Sequence, residues 1–299
     1  MTDDLDRLLA PLPPRPLTRF APSPTGYLHL GHVVNGVYVW GIARALGGRV
    51  ALRIEDHDRT RCRPGYERAL LEDLEWLGLV PDVVVERQSE SGAAYEAALT
   101  RLGAAHPVYG CECSRTTMAR DAGDVFGEET PYTGRCRAKA LGAAPGAAPG
   151  AAPGLGTRVA IAPGLERFTD ARLGPQVQEP ARQCGDLLLR DRLGHWTYQF
   201  AVTVDDLRQG IDLVIRGEDL LASTGRQIRL ARMLGRPLPP VYFHHPLIRK
   251  PDGAKLSKAA GDTGIRELRL AGLLAREVLR EAAARGGVPR ELAAGAGAQ

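Results

Sequence analysis

Two histidines stand three positions apart in the stretch RFAPSPTGYLHLGH, which spans residues 19–32. Pro22 and Pro24 stiffen the turn before the histidines. A helix is predicted to begin near Gly31, which places His29 and His32 at its N-terminus. Helix N-termini bind phosphates, because their backbone N–H groups and the helix dipole both favour an anion. The imidazoles could therefore stabilise charge that grows on a phosphate during a displacement, without acting as nucleophile or base. The alternative is that one histidine caps the helix and the other is a half-buried neighbour.

A second group of cations lies in PDGAKLSKAAGD, residues 251–262, where Lys255 and Lys258 stand in a glycine-containing loop. The chain has 39 basic residues, of which only four are lysines, and three of these fall within nine positions. Ammonium groups on flexible stems can move onto a triphosphate. KLSK alone would be interpreted as a solvated basic loop, but its occurrence together with HLGH favours nucleotide binding.

The elements that must position these residues alternate between strand and helix. Before residue 106, the sequence predicts a strand ending at Phe20, helices over 33–47 and 64–79, and a strand over 49–56. After residue 190, it predicts strands over 196–207, 210–219 and 241–248, a helix over 223–235 and helices to the C-terminus. This alternation predicts an α/β fold with one parallel sheet, whose two halves are separated by an inserted region over 106–190.

Length and composition restrict the class of protein. The chain has 299 residues, and 44% are apolar, which is enough for two or three compact units. No run of about eighteen apolar residues occurs, and the acidic, proline-rich N-terminus differs from the basic and apolar pattern of an export signal. We therefore expect a cytoplasmic protein with no membrane partner. The net charge of +4 is compatible with a polyanionic partner.

HLGH and KLSK resemble the HIGH and KMSKS signatures of class I aminoacyl-tRNA synthetases, and RFAPSPTGYLHLGH is similar to the glutamyl branch of that family. Further matching stretches are LRIEDHD (52–58), YGCECSR (109–115), TYQFAVTVDDLRQGIDLVIRGEDLL (197–221) and GRQIRLARMLG (225–235). The resemblance implies a Rossmann-type catalytic domain that joins glutamate to ATP, releases pyrophosphate and passes the glutamyl group to an RNA hydroxyl. It also implies that His29, His32, Lys255 and Lys258 contact ATP, whose phosphates carry Mg²⁺, and that His29, His32 and Lys258 are catalytic.

Five residues match positions that hold the amino acid in the glutamyl branch. They are Arg19, Ser23, Glu55, Tyr198 and Arg216. The planar guanidinium of Arg19 suits a carboxylate, and Glu55 would hold the substrate ammonium. Tyr198 and Arg216 are expected on two strands of the second half. Two arginines and one glutamate complement the two carboxylates and one ammonium of glutamate. Without the resemblance, Arg19 and Glu55 would be interpreted as surface ion-pair residues and Tyr198 as a core residue.

The chain contains five cysteines, an odd number, which favours a reduced compartment and a metal site over a set of disulfides. The resemblance implies a structural zinc site in which Cys111, Cys113 and Cys136 supply three thiolates and Tyr132 the fourth ligand. Zinc takes such ligands tetrahedrally and would stabilise a small insertion that has little core of its own. The spacer from Cys113 to Tyr132 is long, so His106 is an alternative fourth ligand. The other two cysteines are expected to be buried small apolar residues.

The resemblance also divides the chain into four regions. They are the first half of the catalytic domain (1–105), an inserted zinc-binding, acceptor-type subdomain (106–190), the second half of the catalytic domain (191–250), and the KLSK loop with C-terminal helices (251–299). Within the insertion, a three-fold GAAP repeat at 142–154 offers no side chains for a core, and we expect a flexible surface loop there.

The tail after KLSK is too short for the anticodon-binding region with which full-length glutamyl-tRNA synthetases continue. A catalytic core with a zinc insertion and no such region resembles the glutamyl-queuosine tRNA(Asp) synthetases, which attach glutamate to queuosine in the anticodon loop of tRNA(Asp). We therefore expect an ATP-dependent ligase, active as a monomer, whose partners are L-glutamate, ATP and queuosine-containing tRNA(Asp). Two alternatives stay open: a short glutamyl-tRNA synthetase that charges tRNA(Glu) or tRNA(Gln), and a non-catalytic RNA-binding paralogue.

Overall fold

The computed structural model describes residues 2–122, 130–139, 154–248 and 264–297. Its strands are β1 (Leu17–Phe20), β2 (Arg49–Leu52), β3 (Val83–Val84), β4 (Val108–Cys111), β5 (Gly156–Val159), β6 (Glu166–Asp170), β7 (Gly174–Gln178), β8 (Leu187–Arg190), β9 (Leu213–Gly217) and β10 (Val241–His245). Its α-helices are α1 (Thr2–Leu9), α2 (Leu30–Ala45), α3 (Pro64–Trp76), α4 (Gly92–Ala105), α5 (Arg115–Ala122), α6 (Pro180–Gln183), α7 (Tyr198–Arg208), α8 (Thr224–Met233), α9 (Ile265–Leu270), α10 (Ala275–Gly286) and α11 (Arg290–Ala296).

A mostly parallel sheet forms the centre of the molecule. β1, β2 and β3 pair in parallel, as do β9, β10 and β6. The two groups adjoin where Asp212 N–H donates to the carbonyl of Leu17 (3.1 Å) and Leu17 N–H donates to the carboxylate of Asp212 (2.8 Å). The resulting order is β3-β2-β1-β9-β10-β6-β7, in which only β7 is antiparallel to its neighbour. The predicted α/β fold with a parallel, Rossmann-type sheet is confirmed.

Helix α2 is the central helix of the core, and it is buried along most of its length. The C-terminal helices α10 and α11 pack against it, and the hydroxyl of Tyr38 donates to the carbonyl of Gly286 (3.1 Å). A Cβ at Gly41 would lie 2.6 Å from the carbonyl oxygen of Leu292, so glycine is required for α11 to approach this closely. The predicted short C-terminal helical region therefore completes the core. Among the described residues, no helix has both the length and the apolar character needed to cross a bilayer.

The prediction of a strand over 196–207 is wrong, because this segment forms helix α7. Its aromatic and β-branched residues favour a strand, but Phe200, Ala201 and Val204 recur at helical spacing and are buried in one cluster with α4 and α8. Burial of that helical face outweighs the local preference for a strand. Tyr198 is consequently the first residue of a helix.

The inserted region contributes to two sheets. β4, β5 and β8 form a separate antiparallel sheet. The hairpin of β6 and β7 instead extends the central sheet, where Asp170 pairs with Tyr242 of β10. The boundaries of the four predicted regions stay a prediction. Of the GAAP repeat, only Gly154 falls within the described residues, and the KLSK segment lies outside them.

Candidate active site

A cavity of about 370 Å³ lies at the carboxyl ends of β1, β9 and β10 and at the N-termini of α2 and α7. Ligands of open α/β sheets bind at this edge, where the strand order reverses. Six of the residues predicted from the sequence line the cavity: Arg19, His29, His32, Glu55, Tyr198 and Arg216. Although they are spread over nearly 200 positions of the chain, the fold brings them to one place.

The two histidines of HLGH form the start of α2. The Nδ1 atom of His29 accepts from Gly31 N–H (3.1 Å), and the Nδ1 atom of His32 accepts from His29 N–H (3.1 Å). These bonds form a reciprocal cap of the helix, so the capping interpretation of the pair is correct as far as the Nδ1 atoms are concerned. Because each Nδ1 accepts, each neutral ring carries its proton on Nε2, and that nitrogen can donate to a phosphate.

A buried group of charges, which we call the Arg53 cluster, forms one wall of the cavity. Its members are Arg19, Arg53, Glu55, Asp205 and Asp206. Arg53 is fully buried and donates to Asp206 (2.8 Å) and to Glu55 (3.0 Å). Arg19 donates to the same Asp206 oxygen (3.1 Å). Sequence reasoning found Arg19 and Glu55 but missed Arg53, although an arginine inside the apolar run VALRI is the signal of a paired buried charge.

Burial affects the carboxylates of the Arg53 cluster differently. For Glu55, burial is the largest effect and raises the pKa, although Arg53 and Arg19 oppose it. For Asp206, burial would raise the pKa, but the guanidiniums of Arg19 and Arg53 outweigh it and the pKa is lowered. Asp206 is therefore the firmly ionised member. An ammonium group placed beside Glu55 would lower the pKa of that carboxyl again.

A second group, the Arg216 cluster, reaches the cavity through Arg216. It consists of Arg216, Asp170, Thr224, Gln227 and His244. Arg216 donates to Gln227 Oε1 (2.7 Å), Thr224 Oγ1 (2.9 Å) and His244 Nε2 (3.1 Å). Among the described residues, Arg216 forms no ion pair with a carboxylate, and it lines the cavity. Such a cation suits a carboxylate of a ligand.

Tyr198 lies at the start of α7 between the two clusters. Burial raises the pKa of its phenol, and the charges of Glu55, Arg216 and Arg19 all act on it. Ser23, the fifth residue predicted to hold glutamate, is the one that does not line the cavity, although it lies in the described part of the chain. Lys255 and Lys258 lie outside the described residues.

Among the cavity residues that were not predicted from the sequence are His245 and Asn35. The ring of His245 stacks on Tyr38 (5.0 Å between centroids, 8° between planes) and lies 3.0 Å from the side-chain nitrogen of Asn35 through Nε2. Its Nδ1 atom lies 2.9 Å from the carbonyl of Pro246, so this ring nitrogen donates and Nε2 accepts. Burial lowers the pKa of His245 to about 4.

The three cysteines predicted to bind zinc converge in the insertion. The Sγ atoms of Cys111, Cys113 and Cys136 all lie within 4.8 Å of one another. The hydroxyl of Tyr132 lies 3.7 Å from Cys111 Sγ and accepts from Cys136 N–H (2.8 Å). Three such soft donors could hold a metal ion. His106, the alternative fourth ligand, is described by the structure but is not a member of this group.

Comparison with known proteins decides the family. The catalytic domain of the class I tRNA synthetases (E and Q) is the family that matches this chain, over residues 17–294. The glutamyl-Q tRNA(Asp) synthetase of Bordetella bronchiseptica is 44% identical over 248 residues, which are 81% of this chain and 75% of that protein. This chain belongs to the glutamyl-Q tRNA(Asp) synthetase family. The family member of Geobacter sulfurreducens is 43% identical over 84% of this chain and 78% of its own length.

Solved structures agree with the family assignment. The glutamate-tRNA synthetase of Elizabethkingia anophelis has a TM-score of 0.72 and 28% identity over 90% of this chain. The glutamate tRNA ligase of Elizabethkingia meningosepticum, solved in complex with its amino acid, has a TM-score of 0.72 and 27% identity over 93% of this chain. This glutamyl-Q tRNA(Asp) synthetase family member spans 61% and 64% of the lengths of those two chains.

Proposed function

We propose that this chain is an ATP-dependent ligase that activates L-glutamate to glutamyl-adenylate and transfers the glutamyl group to queuosine in the anticodon loop of tRNA(Asp). The names of its relatives support the acceptor, since they are glutamyl-Q tRNA(Asp) synthetases. The observation that carries the proposal is the cavity itself, where Arg19, Arg216, Glu55 and Tyr198 lie beside the HLGH helix start and Asp219 is a second carboxylate of the lining.

The charges of the cavity walls match glutamate. In the proposed complex, Arg216 and Arg19 bind the carboxylates of the amino acid, and Glu55 binds its ammonium group. Tyr198 lies between these groups and completes the pocket. Ser23 stands on the turn that follows β1, close in sequence to Arg19, and we retain it as a contact of the bound amino acid that forms outside the cavity lining.

The HLGH helix start and the KLSK segment hold ATP in this proposal. The Nε2 atoms of His29 and His32 donate to the phosphates, and Lys255 and Lys258 contact the phosphates as well. The described residues that flank the KLSK segment support this arrangement, because Ile248 lines the cavity and Gly264 forms a β-bridge with His29. Mg²⁺ would enter with ATP as part of the substrate and would neutralise charge on its phosphates.

The reaction requires no dedicated base. A carboxylate oxygen of glutamate attacks the α-phosphorus in line, a new P–O bond forms, and the bond to pyrophosphate breaks. His29, His32 and Lys258 stabilise the charge that develops on the phosphate oxygens. In the second step a hydroxyl of the queuosine cyclopentene attacks the mixed anhydride, the ester forms, and AMP leaves with the electron pair of the broken bond.

We propose that Cys111, Cys113, Cys136 and Tyr132 hold a structural Zn²⁺ in the insertion. The convergence of the three Sγ atoms and the position of the Tyr132 hydroxyl beside them support this ligand set. Elemental analysis of the purified protein tests it. One zinc per chain is expected, and Cys113→Ser should lose the metal, while Leu193→Ser, an exposed change just C-terminal to the insertion, should keep it. Retention of zinc in Cys113→Ser would contradict the ligand assignment.

The acceptor is tested by a charging assay on purified tRNAs. Labelled glutamate should appear on tRNA(Asp) that contains queuosine and not on tRNA(Asp) without it, and we expect the enzyme to act as a cytoplasmic monomer. Charging of tRNA(Glu) or tRNA(Gln) would instead indicate a short glutamyl-tRNA synthetase. Absence of glutamate-dependent pyrophosphate exchange would indicate a non-catalytic RNA-binding paralogue.

A further inference from the structure

A chain of three buried side chains leads from the hairpin of β6 and β7 to the cavity. Asp170 and His244 are both buried, with exposures of 1% and 0%. The Nδ1 atom of His244 lies 2.6 Å from Asp170 Oδ2, and the Nε2 atom of the same ring lies 3.1 Å from Nε of Arg216. Arg216 lines the cavity, whereas Asp170 and His244 do not.

The charge state of arginine fixes the tautomer of His244. The guanidinium of Arg216 is always protonated, so its Nε–H donates and His244 Nε2 must accept. The ring proton is therefore on Nδ1, from which it is donated to Asp170 Oδ2. A protonated His244 would present an N–H group to the Arg216 cation. Burial lowers the pKa of His244, which keeps the ring neutral.

Asp170 is itself held in one orientation. Its Oδ1 atom accepts from the backbone N–H groups of Arg172 (3.1 Å) and Leu173 (2.9 Å), and its Oδ2 atom accepts from His244 N–H (3.2 Å) as well as from the ring. In all four bonds a carboxylate oxygen of Asp170 is the acceptor. An amide at this position would have only one oxygen, so it could not accept all four in any orientation. The carboxylate thus links the turn of the hairpin to β10.

We propose that His244, oriented by Asp170, is a positioning residue that holds the Arg216 guanidinium in the direction of the substrate carboxylate. The inference rests on the proposed function, because it assigns to Arg216 the binding of glutamate. It adds that a hairpin of the inserted region, through Asp170 and His244, orients an arginine that lines the amino-acid pocket. His244 touches neither the cavity nor the substrate, so its effect is on the affinity for glutamate and not on that for ATP.

The near-isosteric change Asp170→Asn tests this directly. The amide of the new side chain would donate to His244 Nδ1, the ring proton would move to Nε2, and that N–H would then oppose the Nε–H of Arg216. In glutamate-dependent pyrophosphate exchange, KM for glutamate should rise roughly tenfold to 100-fold, as expected when a hydrogen bond to a charged group is lost. KM for ATP should stay within about twofold of the wild-type value, since HLGH is not disturbed.

Two variants of the histidine separate positioning from a general loss of structure. In His244→Gln, the side-chain oxygen can occupy the place of Nε2 and accept from Arg216, so KM for glutamate should stay close to that of the wild type. In His244→Asn, the amide can occupy the place of Nδ1 and keep the bond to Asp170, but the acceptor for Arg216 is lost and KM should rise as in Asp170→Asn. Val177→Thr, an exposed change on the same hairpin, should leave both KM values unchanged.

The outcomes distinguish the two proposals. A wild-type protein without glutamate-dependent exchange overturns the proposed function, and the inference falls with it. A wild-type protein that exchanges, together with Asp170→Asn and His244→Asn variants that fold and keep the wild-type KM for glutamate, overturns only the inference. Equal rises in the KM values for glutamate and ATP would also overturn it, because they would indicate a structural role.

Discussion

The Arg53 cluster and the Arg216 cluster both reach one cavity, the first through Arg19 and Glu55 and the second through Arg216, yet they hold their arginines in opposite ways. Arg53 and Arg19 are paired directly with the carboxylates of Asp206 and Glu55. Arg216 contacts uncharged acceptors, and the nearest carboxylate of its own cluster acts through His244. In the first cluster the charges are balanced within the protein, whereas in the second a positive charge is available to a ligand.

This difference separates folding from binding. A buried charge that has lost its partner is costly, so the members of the Arg53 cluster depend on one another for stability. A buried cation that contacts only neutral acceptors stabilises the fold less and binds an anion more strongly. We therefore expect substitutions in the two clusters to have contrasting effects on unfolding and on glutamate affinity.

Arg53→Met should have the largest effect on stability. It leaves Glu55, Asp206 and Asp205 buried without their shared cation, which should lower the free energy of unfolding by about 3–5 kcal/mol. Urea unfolding followed by circular dichroism measures this. As a control, Arg44→Met removes the half-exposed ion pair with Asp82 and should cost less than about 1 kcal/mol. Equal losses in the two variants would contradict the contrast between buried and exposed pairs.

Arg216→Met should show the reverse pattern. Loss of the proposed contact between Arg216 and a substrate carboxylate should lower kcat/KM for glutamate by roughly 100-fold. The free energy of unfolding should fall by no more than about 1–2 kcal/mol, because no carboxylate loses a direct partner and water from the cavity can reach the freed acceptors. Pyrophosphate exchange at varied glutamate and urea unfolding measure the two quantities. A loss of stability as large as that of Arg53→Met would remove the distinction between the clusters.

Acid should lower the free energy of unfolding through His245, a residue that lines the cavity. The pKa of His245 is depressed by burial to about 4 from an ordinary value of 6.5, so below about pH 6.5 the unfolded chain binds a proton that the native chain does not. Stability is then lost as the pH falls from about 6.5 towards 4, by about 2 kcal/mol between pH 7 and pH 5 for this one residue.

The comparison of wild type with His245→Gln measures this contribution. Glutamine does not titrate, so the loss of unfolding free energy between pH 7 and pH 5 should be smaller in the variant. Identical pH dependence in the two proteins would show that His245 titrates normally and is not held neutral by its surroundings.

Tyr198→Phe should have the smallest effect of the four. Tyr198 lies between the clusters, and its hydroxyl can offer the amino acid one uncharged hydrogen bond, so its loss should raise KM for glutamate by roughly threefold to tenfold. The same exchange assay measures it, with KM for ATP as the internal control. An effect as large as that of Arg216→Met would mean that the phenol holds the carboxylate in place of the arginine.

Much of this arrangement could be predicted from the sequence. The strand before the HLGH helix, the helix itself and the strand of Arg216 follow from local periodicity and lie where expected. The family resemblance implies that Arg19, Glu55 and Arg216 converge, and the meeting of the carboxyl ends of parallel strands at one edge explains how they do. The positions of the three cysteines in one group were also expected.

The parts that could not be predicted depend on contacts between distant segments. The local composition of helix α7 predicts a strand, and only the packing of this segment against α4 and α8 makes it helical. Asp170 and His244 are 74 positions apart, and neither belongs to a motif, so their contact is visible only in the folded chain. The pairing of Arg53 with residues of α7 likewise requires that helix to be placed correctly.

At the start of α2, the two nitrogens of each imidazole ring have different functions. The nitrogen that faces the backbone anchors the first helical turn, and in the proposed reaction the other nitrogen donates its proton in a hydrogen bond to the phosphates. Serine or asparagine in place of His29 would preserve the anchor and abolish the donor. In the proposed reaction, a variant of this type would lose catalysis without fraying of α2, because one ring serves both the helix and the phosphates.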